Sequence, residues 1–398
     1  MMDLKQIMNA AKEYKPDMVQ FLRDMIAIPS TSQNEKTVIL RIKEEMEKCG
    51  FDEIIIDGFG NILGRIGSGS KIIAMDAHVD TVDVGNIDLW DCDPFEGKYE
   101  DGIIYGRGAS DQEAGMAAMV YAGRIIKELG LEDDYTLYVV GSCMEEDCDG
   151  LCWQYILKEN VIKPDVVVIT EPTNLGIYRG HRGRMEMRVK TVGLSCHASA
   201  PERGVNAIYK MMPVISEIEK LNERLKDDAF LGKGTIAVTQ IFFKSPSQNA
   251  VADECVIQID RRLTAGETKE SAVAELEEIL KMTGTEADIE VLQYAEKAYT
   301  GLIYPTEKYY PTWVYPEDAE VVQKARETYE QLFEEPARID KWTFSTNGIA
   351  TAGMFDIPTV GFGPANEIYA HSPSDQCPDE HLIKAAAFYA AFPKFFIK

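Results

Sequence analysis

The sequence predicts an α/β protein: a mostly parallel sheet with helices on both faces, interrupted by a smaller inserted α+β domain. Three observations carry this. Near-continuous apolar runs ("KIIAMDAHVD", "YTLYVVGSCMEED" and "PDVVVITEPT") alternate with segments of helical periodicity, as strands buried on both faces do when helices cover them. After Arg182 the strands alternate apolar and polar residues instead, as in "RMEMRVKTVG", which marks a sheet with one wetted face. And 398 residues are many for one core, so two domains are expected.

Taken in order, "MMDLKQIMNAAKEYKPDMVQFLRDMIAIPS" reads as an amphipathic helix with Met18, Phe21, Leu22 and Ile26 on one face. A helix over about 34–49 ends at Gly50, and "DEIIIDGFGNILGRIG" gives two short strands around a glycine turn. The strand "KIIAMDAHVD" precedes a helix, "EAGMAAMVYAGRIIKELG", closed by Gly130. Strand "YTLYVVGSCMEED", helix "CDGLCWQYILKEN" and strand "PDVVVITEPT" follow. From 182 to 295 the order strand, helix, two strands, helix, strand suggests a small α+β sandwich. The first domain then resumes, with helix "YPEDAEVVQKARETYEQLF", strand "FDIPTVGFGP" and closing helix "DEHLIKAAAFYAAFPKFF". The expected domains are 1–181 with 296–398, and 182–295.

Composition narrows the function classes. The apolar fraction of 45% and charged fraction of 27% are those of a soluble globular protein. With 41 Lys and Arg against 66 Asp and Glu, the formal charge is −25. Such a surface repels phosphate backbones and anionic lipid, so no nucleic-acid or membrane partner is expected. No apolar run is long enough to span a bilayer, and no secretory leader is legible, so a cytoplasmic location is expected. The eight cysteines form no CxxC pair and read as reduced thiols, several of them in the core.

The chemistry lies at the strand ends. The first strand ends in His78 and Asp80, the second in Glu145 and Glu146, and the third in Glu171. Asp111 precedes a helix, and a fourth strand leads on to His371. Ligands of open parallel sheets bind beyond the carboxyl ends of the strands, so these residues can converge on one crevice. Singly, each has a plainer role: Asp111 as a helix cap, Glu145 and Glu146 as a solvated loop, the histidines as satisfied polar residues. Jointly they describe a metal centre. Two imidazoles with carboxylates and no thiolate suit zinc, with cobalt or manganese as alternatives. A pair of ions roughly 3.5–4 Å apart needs a bridging carboxylate, for which Asp111 is placed, with His78, Glu146, Glu171 and His371 as the other ligands. Glu145, beside a ligand but pointing the other way along the chain, is the candidate base for the metal-activated water. Asp80 would orient the ring of His78.

With "DAHVDTV", "YGRGASDQEAGMAAM", "MEED", "TEPT" and "AHSPSD" in this order, nearly the whole chain resembles the co-catalytic zinc amidohydrolases and peptidases, which include acetylornithine deacetylase, succinyl-diaminopimelate desuccinylase, aminoacylase and glutamate carboxypeptidase. Within them it is most similar to the YgeY-like hydrolases linked to selenium metabolism. The resemblance implies that His78, Asp111 and Glu171 hold one metal, and Asp111, Glu146 and His371 the other. It implies that 182–295 is a lid and homodimerisation domain and that His197, in "VGLSCHASAP", reaches the partner subunit's site. It also implies that Arg182, Asn249 and Arg262 bind a substrate carboxylate. Without it, His197 would be a solvated turn residue and the arginines surface ion pairs. One segment departs from the desuccinylases: "KWTFSTNGIATAG" places Thr343, Phe344 and Asn347 where they have a Gly-rich loop with an acid, so their substrate does not carry over.

The expected function is metal-dependent hydrolysis of an amide bond in an N-acyl amino acid or short peptide, a small substrate. A carbamoyl or ureido hydrolase on the same fold is the near alternative. A catalytically idle metal-binding protein is the distant one, opposed by the presence of Glu145 beside a full ligand set.

Overall fold

The computed structural model describes residues 3–398. Met1 and Met2, which begin the first expected helix segment and the first expected domain, lie outside the described residues. The chain forms two compact units. One takes in the chain up to Gly180, with Glu296–Tyr304 and Val314–Lys398; the other comprises His181–Ala295 and Pro305–Trp313.

The first unit is built on an eight-stranded sheet. Its order in space is Glu53–Ile56, Ile62–Gly67, Tyr135–Ser142, Lys71–His78, Val166–Ile169, Thr359–Gly361, Ile177–Tyr178 and Ile339–Asp340. The four central strands run parallel. The glycine-turn hairpin Glu53–Ile56 and Ile62–Gly67 joins them antiparallel at one side. In Lys71–His78 every residue from Ile73 onward is buried. Successive side chains point to opposite faces, so both faces of this strand are covered. Glu113–Glu128 packs on the central strands and Lys36–Lys48 on the hairpin; Glu320–Phe333 packs on the far half, and Asp379–Phe396 lies against Glu113–Glu128.

The single amphipathic helix expected at the start is two helices, Leu4–Glu13 and Lys15–Ile26, meeting at Tyr14. Pro16 explains the break: without an N–H it fits the first turn of a new helix and not the interior of an old one. Met18, Phe21, Leu22 and Ile26 are buried on the second helix.

The second unit is a five-stranded antiparallel sheet, Thr235–Lys244, Glu254–Leu263, Gly183–Val192 and Asp288–Val291 in order, with Tyr309–Tyr310 also paired to Gly183–Val192. Helices Ala207–Arg224 and Lys269–Thr283 cover one face. Met185, Met187 and Val189 point into that core with Ile257, Ile259, Met211 and Leu276, while Arg184, Glu186 and Arg188 alternate outward. The unit also recruits Pro305–Trp313, where Tyr309 and Tyr310 lie opposite Met185 and Arg184. A two-residue strand carries no periodicity, so the sequence gives no sign of it.

Candidate metal centre

Because the central strands are parallel, their carboxyl ends share one edge, and the acids collect there. His78 is the last residue of its strand. Glu145 and Glu146 follow Tyr135–Ser142, and Glu171 follows Val166–Ile169. His371 arrives after the 3-10 turn Glu367–Tyr369, in a left-handed backbone conformation (φ +56°). Asp111 stands just before helix Glu113–Glu128, yet its side chain does not cap that helix.

Asp111 lies between the two imidazoles. Its Oδ1 is 2.9 Å from His78 Nε2 and its Oδ2 is 3.3 Å from His371 Nε2. Glu171 Oε1 lies 3.5 Å from His78 Nε2 on the first side, and Glu146 Oε2 lies 2.9 Å from His371 Nε2 on the second. Glu145 Oε2 is 3.9 Å from His78 Nε2. Two overlapping groups, His78 with Glu145 and Glu171, and His78 with Asp111 and Glu146, are each close enough to share one ion. All these residues are buried except Glu146, which is intermediate, and His371, whose side chain is half-exposed.

The electrostatics call for cations. Burial, then the neighbouring carboxylates, push Glu145 and Glu171 well above the usual range. Burial and Asp111 raise Glu146 to about 7. Burial lowers His78, but Glu171, Asp111 and Glu145 outweigh it and hold it well above its ordinary value. Hydrogen bonds that His371 donates to Asp111 and Glu146 raise it to about 10. Glu145 Oε1 and Glu171 Oε2 are buried with no hydrogen-bond partner. Unpaired buried oxygens are costly, and divalent ions held beside them would offset that cost. The all-N,O donor set fits zinc, cobalt or manganese.

Asp80 sits differently from the simplest expectation. His78 Nδ1 bonds to the backbone carbonyl of Asp80 (2.8 Å), and the Asp80 carboxylate is 3.7 Å from that nitrogen. The carboxylate instead accepts from the amides of Glu145 and Glu146 (3.1 and 3.0 Å) and from Ser32 Oγ (2.6 Å). Asp80 thus ties the first strand end to the second.

Other buried residues support the site, in bracing roles that the sequence does not show. Asp375 accepts from Arg107 Nη1, the amides of Gly108 and Ser110, and Ser110 Oγ at 2.6–3.0 Å, fixing the loop that leads to Asp111. Asn347 donates to Asp76 Oδ2 (2.9 Å) and Ser142 Oγ (3.0 Å), and accepts from the Gly150 amide (2.8 Å) and Cys152 Sγ (3.1 Å). It is 1% exposed, so its amide braces two central strands. Asp375 closes the "AHSPSD" motif and Asn347 stands in the departing "KWTFSTNGIATAG" segment, but neither reads there as a brace.

The second unit holds the remaining candidates. His197 is exposed and its backbone bridges Ala250, while the Ala198 amide donates to the Asn249 carbonyl (2.8 Å), so the His197 and Asn249 segments run side by side. The Ser199 amide donates to His197 Nδ1 (3.1 Å), which leaves the proton of a neutral ring on Nε2. Arg182 Nη1 donates to the Lys233 carbonyl (2.8 Å), and Arg262 pairs with Asp260 (2.8 Å). Its neighbour Arg261 is fully buried between Glu267 and Glu275.

A strand-end cluster of two imidazoles around one carboxylate, on a mostly parallel sheet, defines a metallohydrolase centre, and residues 74–394 match the model of Peptidase family M20/M25/M40. The chain belongs to this family and is a metal-dependent hydrolase of amide bonds. It is 55% identical over 389 residues to "Uncharacterized protein YgeY" of Escherichia coli K12, covering 98% of this chain and 96% of that one. It is 28% identical over 273 residues to "Probable succinyl-diaminopimelate desuccinylase" of Staphylococcus aureus MRSA252, covering 62% and 67%. Its fold is that of aminopeptidase PepT from Bacillus cereus (TM-score 0.74, 21% identity, covering 96% and 99%).

Proposed function

We propose that the enzyme hydrolyses the amide bond of an N-acyl amino acid or short peptide, using two divalent ions, zinc in the first instance, with Glu145 as general base. The observation that carries this is Asp111, with one carboxylate oxygen toward each histidine. His78, Asp111 and Glu171 would hold one ion; Asp111, Glu146 and His371 the other. When bound, such a pair supplies an acidified water and polarises the scissile carbonyl. Glu145, buried and with Oε1 unpaired, takes the water's proton and returns it to the leaving amine. Asp80 holds the backbone of Glu145 and Glu146 in place. A screen of N-acyl amino acids, dipeptides and ureido compounds with zinc, cobalt or manganese tests the proposal: turnover of the first two classes is expected, and turnover of ureido compounds alone would overturn it. If Arg182, Asn249 and Arg262 receive a substrate carboxylate, amidating that group sharply lowers kcat/KM.

The second unit, with 182–295 at its heart, serves as lid and dimerisation domain. Among the described residues its edge strand Thr235–Lys244 is paired on one side only and exposes Ile241, Phe242 and Phe243, and Tyr209 and Met212 are exposed on helix Ala207–Arg224. Apolar residues on an unpaired edge favour a second copy as cover. His197 then acts in the partner's site, where its Nε2–H stabilises the oxyanion as the lids close. Eight free cysteines accord with a cytoplasmic location, and no helix among the described residues is long and apolar enough to cross a membrane. Mixing His197→Ala with Glu145→Ala subunits checks the trans role. In a mixed dimer one site carries both defects and the other neither, so random pairing should restore about a quarter of wild-type activity. Mixed dimers confirmed by mass but no more active than the parents would place His197 in its own subunit's site.

A further inference from the structure

The turn that carries Glu145 and Glu146 is held by side chains brought from three distant places. Four consecutive amides leave the strand Tyr135–Ser142 and each meets a buried acceptor. Cys143 donates to Asn61 Oδ1 (3.0 Å), Met144 to Glu35 Oε1 (3.0 Å), and Glu145 and Glu146 to the two oxygens of Asp80 (3.1 and 3.0 Å). Met144 has φ +59°, a left-handed conformation that a non-glycine residue keeps only when its surroundings impose it.

Glu35 reaches this turn through the segment Ser30–Glu35, which runs beside Val79–Thr81. Thr31 bridges Thr81, the Thr81 amide donates to the Ser30 carbonyl (3.0 Å), and Ser32 Oγ donates to Asp80 (2.6 Å). Glu35 is fully buried. It stands at the N-cap position of helix Lys36–Lys48 but makes no side-chain cap there; its carboxyl turns to Met144 instead.

We propose that Glu35 is a positioning residue for catalysis: by anchoring the Met144 amide it fixes the direction in which Glu145 and Glu146 leave the turn. This rests on Glu145 being the base. The position needs an acceptor and not a charge. Burial, then the adjacent Asp80, raise the Glu35 carboxyl to about 8, which disfavours its charged form. Glutamine keeps that acceptor; methionine keeps the length and removes it.

The test compares Glu35→Gln, Glu35→Met and Glu145→Gln in the full chain, loaded with zinc for kinetics and with cobalt for the visible spectrum. Glu35→Gln is expected to stay within about threefold of wild-type kcat. Glu35→Met is expected to lose about 10–100-fold in kcat, the effect of a displaced catalytic group, with KM within about threefold and metal content unchanged. Its cobalt spectrum should shift, because Glu146 rides on the same turn, while that of Glu35→Gln should not. A Glu35→Met protein with wild-type kcat, an unshifted cobalt spectrum, or a Glu35→Gln protein as impaired as Glu35→Met would each overturn the proposal. If Glu35→Met does not fold, Glu35→Asp, which withdraws the acceptor by one methylene, replaces it with the same outcomes. Glu145→Gln separates the two levels. If it keeps wild-type kcat, the base assignment falls and the positioning role with it. If it is inactive while Glu35→Met is not, the positioning role falls alone.

Discussion

Glu145→Gln is expected to lower kcat by about 10²–10⁴-fold, the range a general base contributes, while metal content stays at the wild-type level. Glutamine reproduces the shape of the side chain and cannot accept the proton. Its neighbour Glu146 provides the contrast, since Glu146 Oε2 faces His371 at 2.9 Å. Glu146→Gln should loosen one ion, seen as a lower metal-to-protein ratio or a higher metal concentration for half-maximal activity. Elemental analysis with steady-state kinetics on both variants separates the roles, and two fully active, fully loaded variants would refute them.

The second large effect is expected at Asp111. Asp111→Ala removes the one carboxylate that faces both imidazoles, and should abolish turnover and retention of both ions. Chelation of the wild-type protein should do the same, and zinc or cobalt should restore activity only in the wild type. The metal-free protein should also become less stable as pH rises from about 4.5 toward 10, the window spanned by Glu146 and His371. Glu146 is raised from 4.5 to about 7, so above its unfolded value the folded state holds a proton that the unfolded state has lost, and stability falls until that proton leaves. His371, raised from 6.5 to about 10, contributes stability that is complete below 6.5 and declines above it. Both act in one direction, and bound cations oppose both, so the difference in thermal midpoint between loaded and chelated protein should widen across this range. A constant difference would refute this account of the site's charge balance.

The candidate site residues are legible in the sequence because they occur at strand ends and in tight motifs: His78 closes an apolar run, and Glu145 and Glu146 close another. The long strands and helices are legible for the same reason, through their periodicity. The bracing roles of Glu35, Asn61, Asn347 and Asp375 are not, because each acts on a backbone amide far away in the chain. A polar residue in a loop looks solvated until the fold supplies its donor. Asp80 shows a finer limit: its place beside His78 is plain, but its carboxylate serves the next strand's turn. The Tyr309–Tyr310 strand is invisible because two residues hold no pattern. The split at Tyr14 was open to inspection, since Pro16 marks it.

Strand Thr359–Gly361 lies between Val166–Ile169 and Ile177–Tyr178 in the central sheet, although the whole second unit intervenes in the chain. During synthesis the N-terminal strands therefore emerge well before the one that seals their open side. A ribosome-bound chain waits with Val166–Ile169 exposing unpaired backbone groups, while the inserted unit can fold on its own contacts. Such late, long-range closure slows folding and leaves an adhesive edge in the interval. The same wait delays His371, so the nascent chain holds only part of the candidate site until almost all of it has been made.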